Sequence, residues 1–361
     1  METSVYKTAA ESIMRAGQIP FPVNDTLLGL LATIMTEDQA RFIPIFTKPL
    51  NHDELRSRSD LTDEALQTML DSLMDEGIIT GLPSRSDGTM VYRLLPLIPG
   101  MFEYTLMRGE TGPKQKKLAR LFHQLFNELA HMVQENYDTI LPAFKAMPPM
   151  TRVIPVERQV DPKYETVMPY EDVKKVVDRF HTFAVAHCYC RHQKDLLDQP
   201  CQVTTQRKNC LFFGRTARFV IDRKFGEEIT KDQAKQILAD AEKDGLVHKA
   251  FHEASNPDKD EMAICNCCKC CCETFQLFYR GGAPTATHAA YLAKVDDEAC
   301  SACEVCADMC PMEAIEIQET ARVDEGRCIG CGVCAYHCPT EAITLKRTGQ
   351  RLVFVPPPKV N

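Results

Sequence analysis

The chain has 361 residues, 18 of them cysteine, and a formal net charge of −8. This length corresponds to two or three domains, and the negative charge argues against a general attraction to nucleic acid or anionic lipid. The N-terminal residues contain no apolar signal core, and the longest apolar run, residues 27–35, is too short to span a bilayer. We therefore expect a cytoplasmic protein without membrane insertion, in which the cysteines bind metal rather than form disulfides.

The first region, residues 1–110, is predicted to contain helices followed by a hairpin. Apolar residues at helical spacing begin at Leu28, Asn51 opens a second helix, and Thr62 caps a third. A turn at 83–88 then joins two strands. This order resembles a winged helix, in which the third helix enters the DNA major groove. Residues 60–76 carry six acidic side chains and no lysine or arginine, so DNA binding is disfavoured and docking to protein is expected.

The second segment, residues 111–169, is predicted to form a long amphipathic helix and a proline-rich linker. Apolar residues recur at steps of three and four from Leu118 to Val133 and form a broad stripe. We expect this stripe to pack in the core, with a homodimer seam or a contact with a partner subunit as the alternative. Residues 143–169 contain five prolines, which predicts an extended linker or a strap.

The third region, residues 170–290, is predicted to be a cysteine-rich α+β domain, with a helix near 231–243 and a strand at 246–251. Ten cysteines at this density in a cytosolic chain indicate metal ligation. The first four are Cys188, Cys190, Cys201 and Cys210, and the remaining six are Cys265, Cys267, Cys268, Cys270, Cys271 and Cys272.

The first four of these cysteines suffice for one 4Fe-4S cluster, with structural zinc as the alternative. The six that follow exceed the needs of one cubane, so some are expected to complete the first site while others form a further one. His187 and His192 flank the first pair of cysteines. A hydrogen bond to sulfur or a surface position is favoured for them over a role as non-cysteine ligands.

The fourth region, residues 291–350, repeats one cysteine pattern after 28 residues. The first copy is Cys300, Cys303, Cys306, Cys310 and Pro311, and the second is Cys328, Cys331, Cys334, Cys338 and Pro339. Zinc ribbons use pairs of cysteines separated by a longer stretch, whereas the C-x2-C-x2-C-x3-C-P run is typical of bacterial ferredoxins. Residues 351–361 are expected to form a tail.

Residues 296–346 therefore resemble the dicluster ferredoxin family. The resemblance implies two 4Fe-4S clusters that pass single electrons at low potential. It also implies that the fourth cysteine of each run crosses to the other cluster. The expected ligand sets are Cys300, Cys303, Cys306 and Cys338 for one cluster and Cys328, Cys331, Cys334 and Cys310 for the other.

Most of the chain resembles a family of 4Fe-4S proteins of anaerobes in which a cysteine-rich module precedes a dicluster ferredoxin. We expect an α+β multidomain protein that transfers electrons as a subunit or dedicated partner of an oxidoreductase, in contact with redox proteins. The sequence contains no dinucleotide-binding fingerprint and no Walker loop. Two alternatives stay open, namely a redox-sensing transcription regulator and an enzyme with an unusual iron–sulfur centre in the middle region.

Overall fold

A computed structural model describes residues 2–149, 151–156, 172–252 and 261–360. The N-terminal region folds into helices and a small sheet whose strands are ordered β1-β3-β2. Its elements are α1 (Glu2–Ala16), α2 (Asp25–Ile34), α3 (Glu37–Phe42), β1 (Leu50–Asn51), α4 (His52–Arg58), α5 (Asp63–Asp75), β2 (Ile79–Pro83) and β3 (Met90–Leu94). The helices and the hairpin occur in the predicted order, and membership of the winged-helix class stays a prediction.

The connecting and middle regions alternate helices with longer strands. Their elements are α6 (Phe102–Leu106), α7 (Pro113–Glu135), α8 (Tyr137–Ala146), β4 (Thr151–Ile154), α9 (Val173–Asp178), β5 (Phe183–His187), α10 (Tyr189–Leu196), β6 (Lys208–Phe213), α11 (Gly214–Asp222), β7 (Glu227–Ile229), α12 (Lys231–Lys243), β8 (Val247–His252), β9 (Glu261–Cys267) and α13 (Glu273–Tyr279). The C-terminal region contains β10 (Thr285–Val295), α14 (Val305–Met309), β11 (Ile315–Ile317), β12 (Ala321–Val323), α15 (Val333–Tyr336) and β13 (Ile343–Val355).

One mixed sheet joins the middle and C-terminal regions, in the order β13-β10-β4-β8-β9-β6-β5-β7 across the described residues. Neighbouring strands are antiparallel except for β10 and β4, which are parallel. β4 falls within the segment expected to be a linker, so that expectation is wrong for residues 151–154, which form a buried interior strand. Residues 150 and 157–169 of the predicted linker lie outside the described residues.

The strands β10 and β13 tie the cysteine repeat to this sheet. They pair from Thr285 with Val355 to Val295 with Ile343, across a bulge between Ala289 and Tyr291. The boundary predicted at 290/291 falls inside β10, and β13 extends into the segment expected to be a tail. The repeat is therefore continuous with the large sheet through two hydrogen-bonded strands.

The apolar stripe of α7 packs inside the chain, as the first of the two expectations states. Its buried face includes Phe122 and Phe126, and the helix contacts α2, α6, α10 and α13. Phe102 of α6 stands at the centre of this packing, with its ring 5.0 Å from Phe122, 5.1 Å from Phe126 and 5.4 Å from Tyr189. The N-terminal region is thus fixed to the middle region by an aromatic cluster.

The acidic face of α5 is turned toward basic side chains of the same protein. Arg223, which follows α11, lies 2.7 Å from Asp71 and 3.1 Å from Asp75. Arg108 donates a hydrogen bond of 2.7 Å to the carbonyl oxygen of Asp75. Part of the charge that argues against DNA binding therefore serves contact between the N-terminal and middle regions.

The helices of the described ranges include none that is both long and apolar enough to cross a bilayer.

Replacing Phe102 with alanine tests how firmly the aromatic cluster joins the two regions. The side chain is 1% exposed, and its removal leaves a cavity that costs about 3–5 kcal/mol of stability. We expect a clearly lowered denaturant midpoint in metal-loaded protein, followed by circular dichroism. Met90, which is 41% exposed, provides the control, since Met90→Ala should change stability by less than about 0.5 kcal/mol. Equal effects of the two substitutions would contradict this role.

Candidate metal centres

The cysteine repeat forms two cavities, each lined by cysteines of both copies. Cys328, Cys331, Cys334 and Cys310 line one cavity, named here the inner ferredoxin site. Cys300, Cys303, Cys306 and Cys338 line the other, named the outer ferredoxin site. These are the two sets that the crossed pattern predicts. The inner cysteines are all buried, whereas Cys303 of the outer site is exposed.

The two copies adopt the left-handed backbone conformation at equivalent positions. Positive φ angles occur at Ala302, Glu304 and Glu313, and again 28 residues later at Gly330, Gly332 and Glu341. Successive turns of this kind direct N–H groups toward a bound anion. The N–H groups of Ala314 and Ala321 donate to the sulfurs of Cys310 and Cys300 at 3.3 and 3.5 Å. The donors, the thiols and the apolar walls all suit an iron–sulfur cubane.

The ten cysteines of the middle region divide differently from the expectation. Cys201 does not join Cys188, Cys190 and Cys210, because the loop after α10 carries it to the turn that follows β9. There it meets Cys268, Cys270 and Cys271, and the four sulfurs lie within 4.8 Å of one another. We name this group the four-thiol site.

The spacing of the four-thiol site matches one metal ion. The sulfur of Cys201 lies 3.7 Å from Cys268 and 3.6 Å from Cys270, and Cys270 lies 3.5 Å from Cys271. Four thiolates about 2.3 Å from one tetrahedral ion are about 3.8 Å apart. The thiolates of a cubane bind four different irons and are further apart than this. The geometry therefore fits a single zinc or iron ion better than a 4Fe-4S cluster.

The other six cysteines form a closed ring of sulfur contacts, named the six-thiol ring. Each thiol interacts with two neighbouring thiols strongly enough to shift its pKa, in the order Cys188, Cys190, Cys272, Cys267, Cys265 and Cys210. The sulfurs of Cys210 and Cys265 are 3.7 Å apart. The members come from the β5–α10 junction, β6, β9 and the start of α13, so one ring joins four parts of the fold.

The pKa values of the ring thiols alternate around it. Hydrogen bonds from both ring neighbours lower the pKa of Cys188 and Cys272, and lower that of Cys265 to about 5. Donating such bonds raises the pKa of Cys210 and Cys267, and burial followed by the same bonds raises that of Cys190. The three lowered pKa values favour the thiolate at alternate positions of the ring, and thiolate is the form that binds metal.

A buried arginine stands between the two groups of thiols. Arg191 is 0% exposed and donates to the side-chain oxygen of Asn209 at 2.7 Å and to the carbonyl oxygen of Asn266 at 2.8 Å. Its guanidinium also contacts Cys268 of the four-thiol site. Burial alone would lower the pKa of Arg191, but the negative charges of Cys188, Cys268 and Cys201 together outweigh burial and raise it. A buried cation needs a nearby anion, and thiolates supply it here.

A second buried cation lies beside the six-thiol ring. Lys249 is 4% exposed, and its amino group donates to the hydroxyl of Thr274 at 2.8 Å. Thr274 lies 3.2 Å from the sulfur of Cys272. Positive charge is therefore placed where clustered thiolates would otherwise repel one another.

The two histidines near the first cysteine pair contact groups other than the sulfurs. The Nε2 atom of His192 lies 2.7 Å from the carbonyl oxygen of Glu110. The ring of His187 packs against Gly109 and lies 6.1 Å from the ring of His192. His192 is 5% exposed and contacts a backbone carbonyl oxygen, so neither of the two favoured positions, a hydrogen bond to sulfur or the surface, describes it.

The helix α13 connects the six-thiol ring with the inner ferredoxin site. It begins directly after Cys272 and ends at Tyr279, whose hydroxyl donates to the carbonyl oxygen of Pro311. A helix of this length covers about 10 Å. Lys269, in the turn of the four-thiol site, lies 3.3 Å from Glu313. Both middle groups therefore adjoin the inner ferredoxin site.

Sequence reasoning identified all 18 cysteines but missed Arg191 and Lys249. Arg191 stands in the motif Cys188-Tyr-Cys190-Arg-His, and a basic residue beside clustered cysteines is a signal that could have singled it out. Lys249 gives no such signal, because it approaches the ring only through the pairing of β8 with β9.

Cys268→Ser tests the four-thiol site. We expect metal analysis to show the loss of one ion per chain, because serine does not replace a thiolate ligand of a single tetrahedral ion well. Iron and sulfide of the ferredoxin sites should stay constant, and the exposed Cys303 provides the contrast, since Cys303→Ser should affect cluster iron instead. Loss of about four irons from Cys268→Ser would show a cubane at this position.

Arg191→Met tests the electrostatic role of the buried guanidinium. Methionine keeps much of the volume but leaves the thiolates without their cation, so we expect metal affinity in the middle region to fall about 10–100-fold. Competition with a chromogenic chelator measures this. The exposed Arg218 is the matched control, and unchanged metal release from Arg191→Met would contradict the role.

Comparison with known protein families found one match. The model described as "4Fe-4S binding domain" matches residues 293–316 and 321–344. The match covers the two copies of the repeat and is consistent with a C-terminal dicluster ferredoxin. No curated protein and no solved structure matched the chain. The paired match and the clustered cysteines identify an iron–sulfur protein with an electron-transfer function.

Proposed function

We propose that this protein relays single low-potential electrons between a redox protein and an oxidoreductase, as a subunit or dedicated partner of that enzyme in an anaerobic cytoplasm. The supporting observation is the order of the thiol sites. The outer ferredoxin site includes the exposed Cys303, and the inner site is fully buried. Beyond the inner site, α13 runs directly to the six-thiol ring.

The exposure of the thiols indicates where a partner exchanges electrons with the relay. A protein donor or acceptor reaches the outer ferredoxin site through the surface around Cys303. The crossed ligand sets place Cys310 and Cys338 at the site of the other copy. One rigid unit therefore holds both cubanes, and electrons move within it without a change of fold.

The middle region holds the further centres of the relay. In this proposal the six-thiol ring binds a polynuclear iron–sulfur cluster, and the four-thiol site binds one structural or redox-active ion. Six thiolates exceed the four of an ordinary cubane, so the ring favours a larger cluster or one with extra thiolate contacts. When bound, such a cluster supplies one-electron chemistry, while Arg191 and Lys249 offset the negative charge of the thiolates.

A role as a redox-sensing transcription regulator receives less support. In the resemblance to a winged helix, α5 is the helix that would approach DNA. Its Asp71 and Asp75 pair with Arg223 of the middle region. A gel-shift assay with the upstream DNA of the protein's own gene tests this alternative, and specific binding would favour it over the relay.

Iron and acid-labile sulfide analysis, with electron paramagnetic resonance of anaerobically purified protein, tests the proposed relay. We expect about eight irons from the two ferredoxin sites and additional iron from the middle region. Cys267→Ser should remove iron from the six-thiol ring and leave the ferredoxin signals intact. Cys331→Ser should do the reverse. Colourless protein, or zinc in the ferredoxin sites, would overturn the proposal.

A further inference from the structure

The six-thiol ring is built from two separate segments of the chain, each of which supplies three of its sulfurs. The first segment, residues 188–210, supplies Cys188, Cys190 and Cys210. The second segment, residues 265–272, supplies Cys265, Cys267 and Cys272. The two segments meet where Cys210 contacts Cys265. They meet again where Cys190 contacts Cys272, so the shape of the ring depends on both contacts.

Strand pairing holds the first of these contacts. The antiparallel strands β6 and β9 place Leu211 opposite Ile264. Cys210 and Cys265 are the adjacent residues on the two strands. The hydrogen bonds of the sheet therefore fix these two sulfurs beside each other.

The second contact lies beyond the paired strands. Cys190 belongs to α10, and Cys272 directly precedes α13. The N–H of Glu273 donates to the sulfur of Cys190 at 3.4 Å. One such hydrogen bond contributes about 1 kcal/mol, so a further connection between the segments would stabilise this side of the ring.

The four-thiol site connects the same two segments. Cys201 lies in the loop between α10 and β6, within the first segment. Cys268, Cys270 and Cys271 lie in the turn between β9 and α13, within the second segment. One ion bound by all four sulfurs therefore cross-links this loop to this turn.

An ion in the four-thiol site also closes the turn that separates two ring thiols. Cys267 directly precedes the turn and Cys272 directly follows it, and these two thiols are neighbours in the ring. The N–H of Cys272 donates to the carbonyl oxygen of Cys268 at 3.2 Å, which already brings the ends of the turn together. Drawing the sulfurs of Cys268 and Cys271 onto one ion favours the same closed shape.

Zinc suits the four-thiol site better than an iron–sulfur cluster does. A tetrahedral set of four sulfurs is typical of zinc or of such a cluster, and the sulfurs here are too close together for a cluster. Structural zinc sites are closed by four protein ligands, as this site would be. Zinc has no redox chemistry, so its bonds stay the same while electrons pass nearby.

The position of the four-thiol site also suits a metal ion. Cys201 and Cys270 are partly exposed, whereas five of the six ring thiols are buried. An ion therefore reaches this site from solvent more directly than it reaches the ring. Four thiolates carry more negative charge than one zinc ion neutralises, and Arg191, which contacts Cys268, offsets part of the excess.

We propose that the four-thiol site binds one zinc ion, and that this ion cross-links the two segments so that the six-thiol ring retains its cluster. The inference rests on the proposed cluster in the ring and gives the neighbouring site a structural role. Binding forms four Zn–S bonds and releases to solvent the protons that the thiols still carry, and no electron is exchanged. The relay then depends on a metal ion that carries none of its electrons.

Cys201→Ser and Cys270→Ser test the cross-link from its two sides, in the full chain purified without oxygen. Elemental analysis should find one zinc per unsubstituted chain and none in either variant. Iron of the six-thiol ring should then pass to a ferrous-ion chelator at least about tenfold faster, while the ferredoxin signals in electron paramagnetic resonance stay unchanged. Val203, which is 40% exposed in the same loop, provides the matched control, since Val203→Ser should retain zinc and release iron at the original rate.

Hydrogen exchange of residues 268–272 gives a second measurement, which does not depend on iron. These amides should exchange faster in both cysteine variants than in Val203→Ser. Iron, or no ion, in the four-thiol site would overturn the zinc assignment. Unchanged iron release and unchanged exchange after the loss of zinc would overturn the cross-link. An unsubstituted chain with zinc but without ring iron would contradict the proposed cluster in the ring, and the exchange measurement would still decide the cross-link.

Discussion

Arg191 is a fully buried cation whose neighbours are thiols and amides rather than carboxylates. Ten thiols gathered in one region would repel one another once deprotonated, and they would lose metal affinity if they stayed protonated. Arg191 offsets this repulsion at the boundary of the four-thiol site and the six-thiol ring, and Lys249 does so near Cys272 of the ring. The arrangement of the β5–α10 junction, β6, β9 and the residue before α13 depends on this balance, because each contributes sulfur to the same small volume.

The division of the ten middle cysteines shows why spacing alone is a poor guide to ligand sets outside a known motif. Cys267 and Cys268 are adjacent in sequence but belong to different groups, because β9 ends between them and the chain turns. Cys201 and Cys268 are 67 positions apart and share one site. The ferredoxin repeat is different, because one short loop supplies three of the four ligands of each site. The spacing of the cysteines in that loop therefore predicts which of them lie together.

Much of the fold follows from local sequence, and the exceptions have a common physical cause. The caps at Asn51 and Thr62 and the stripe of α7 are local signals, and the structure has helices at these places. By contrast, β4 becomes a strand only because β8 and β10 pair with it from about 100 residues away or more. A large cavity between the N-terminal and middle regions was also beyond prediction, since its walls come from the N-terminal hairpin and from β6, β9 and α11, which only the tertiary fold brings together.

The pairing of β10 with β13 runs from the ferredoxin loops deep into the shared sheet. A ferredoxin domain on a flexible linker can move between its partners. Here the pairing of β10 with β13 fixes the ferredoxin loops to the large sheet. In the proposed relay, redox partners dock at this fixed domain, so the rate and the salt dependence of docking set the supply of electrons. Excising the domain would also remove the two outermost strands at one end of the large sheet, β13 and β10, so the domain is an integral part of the fold.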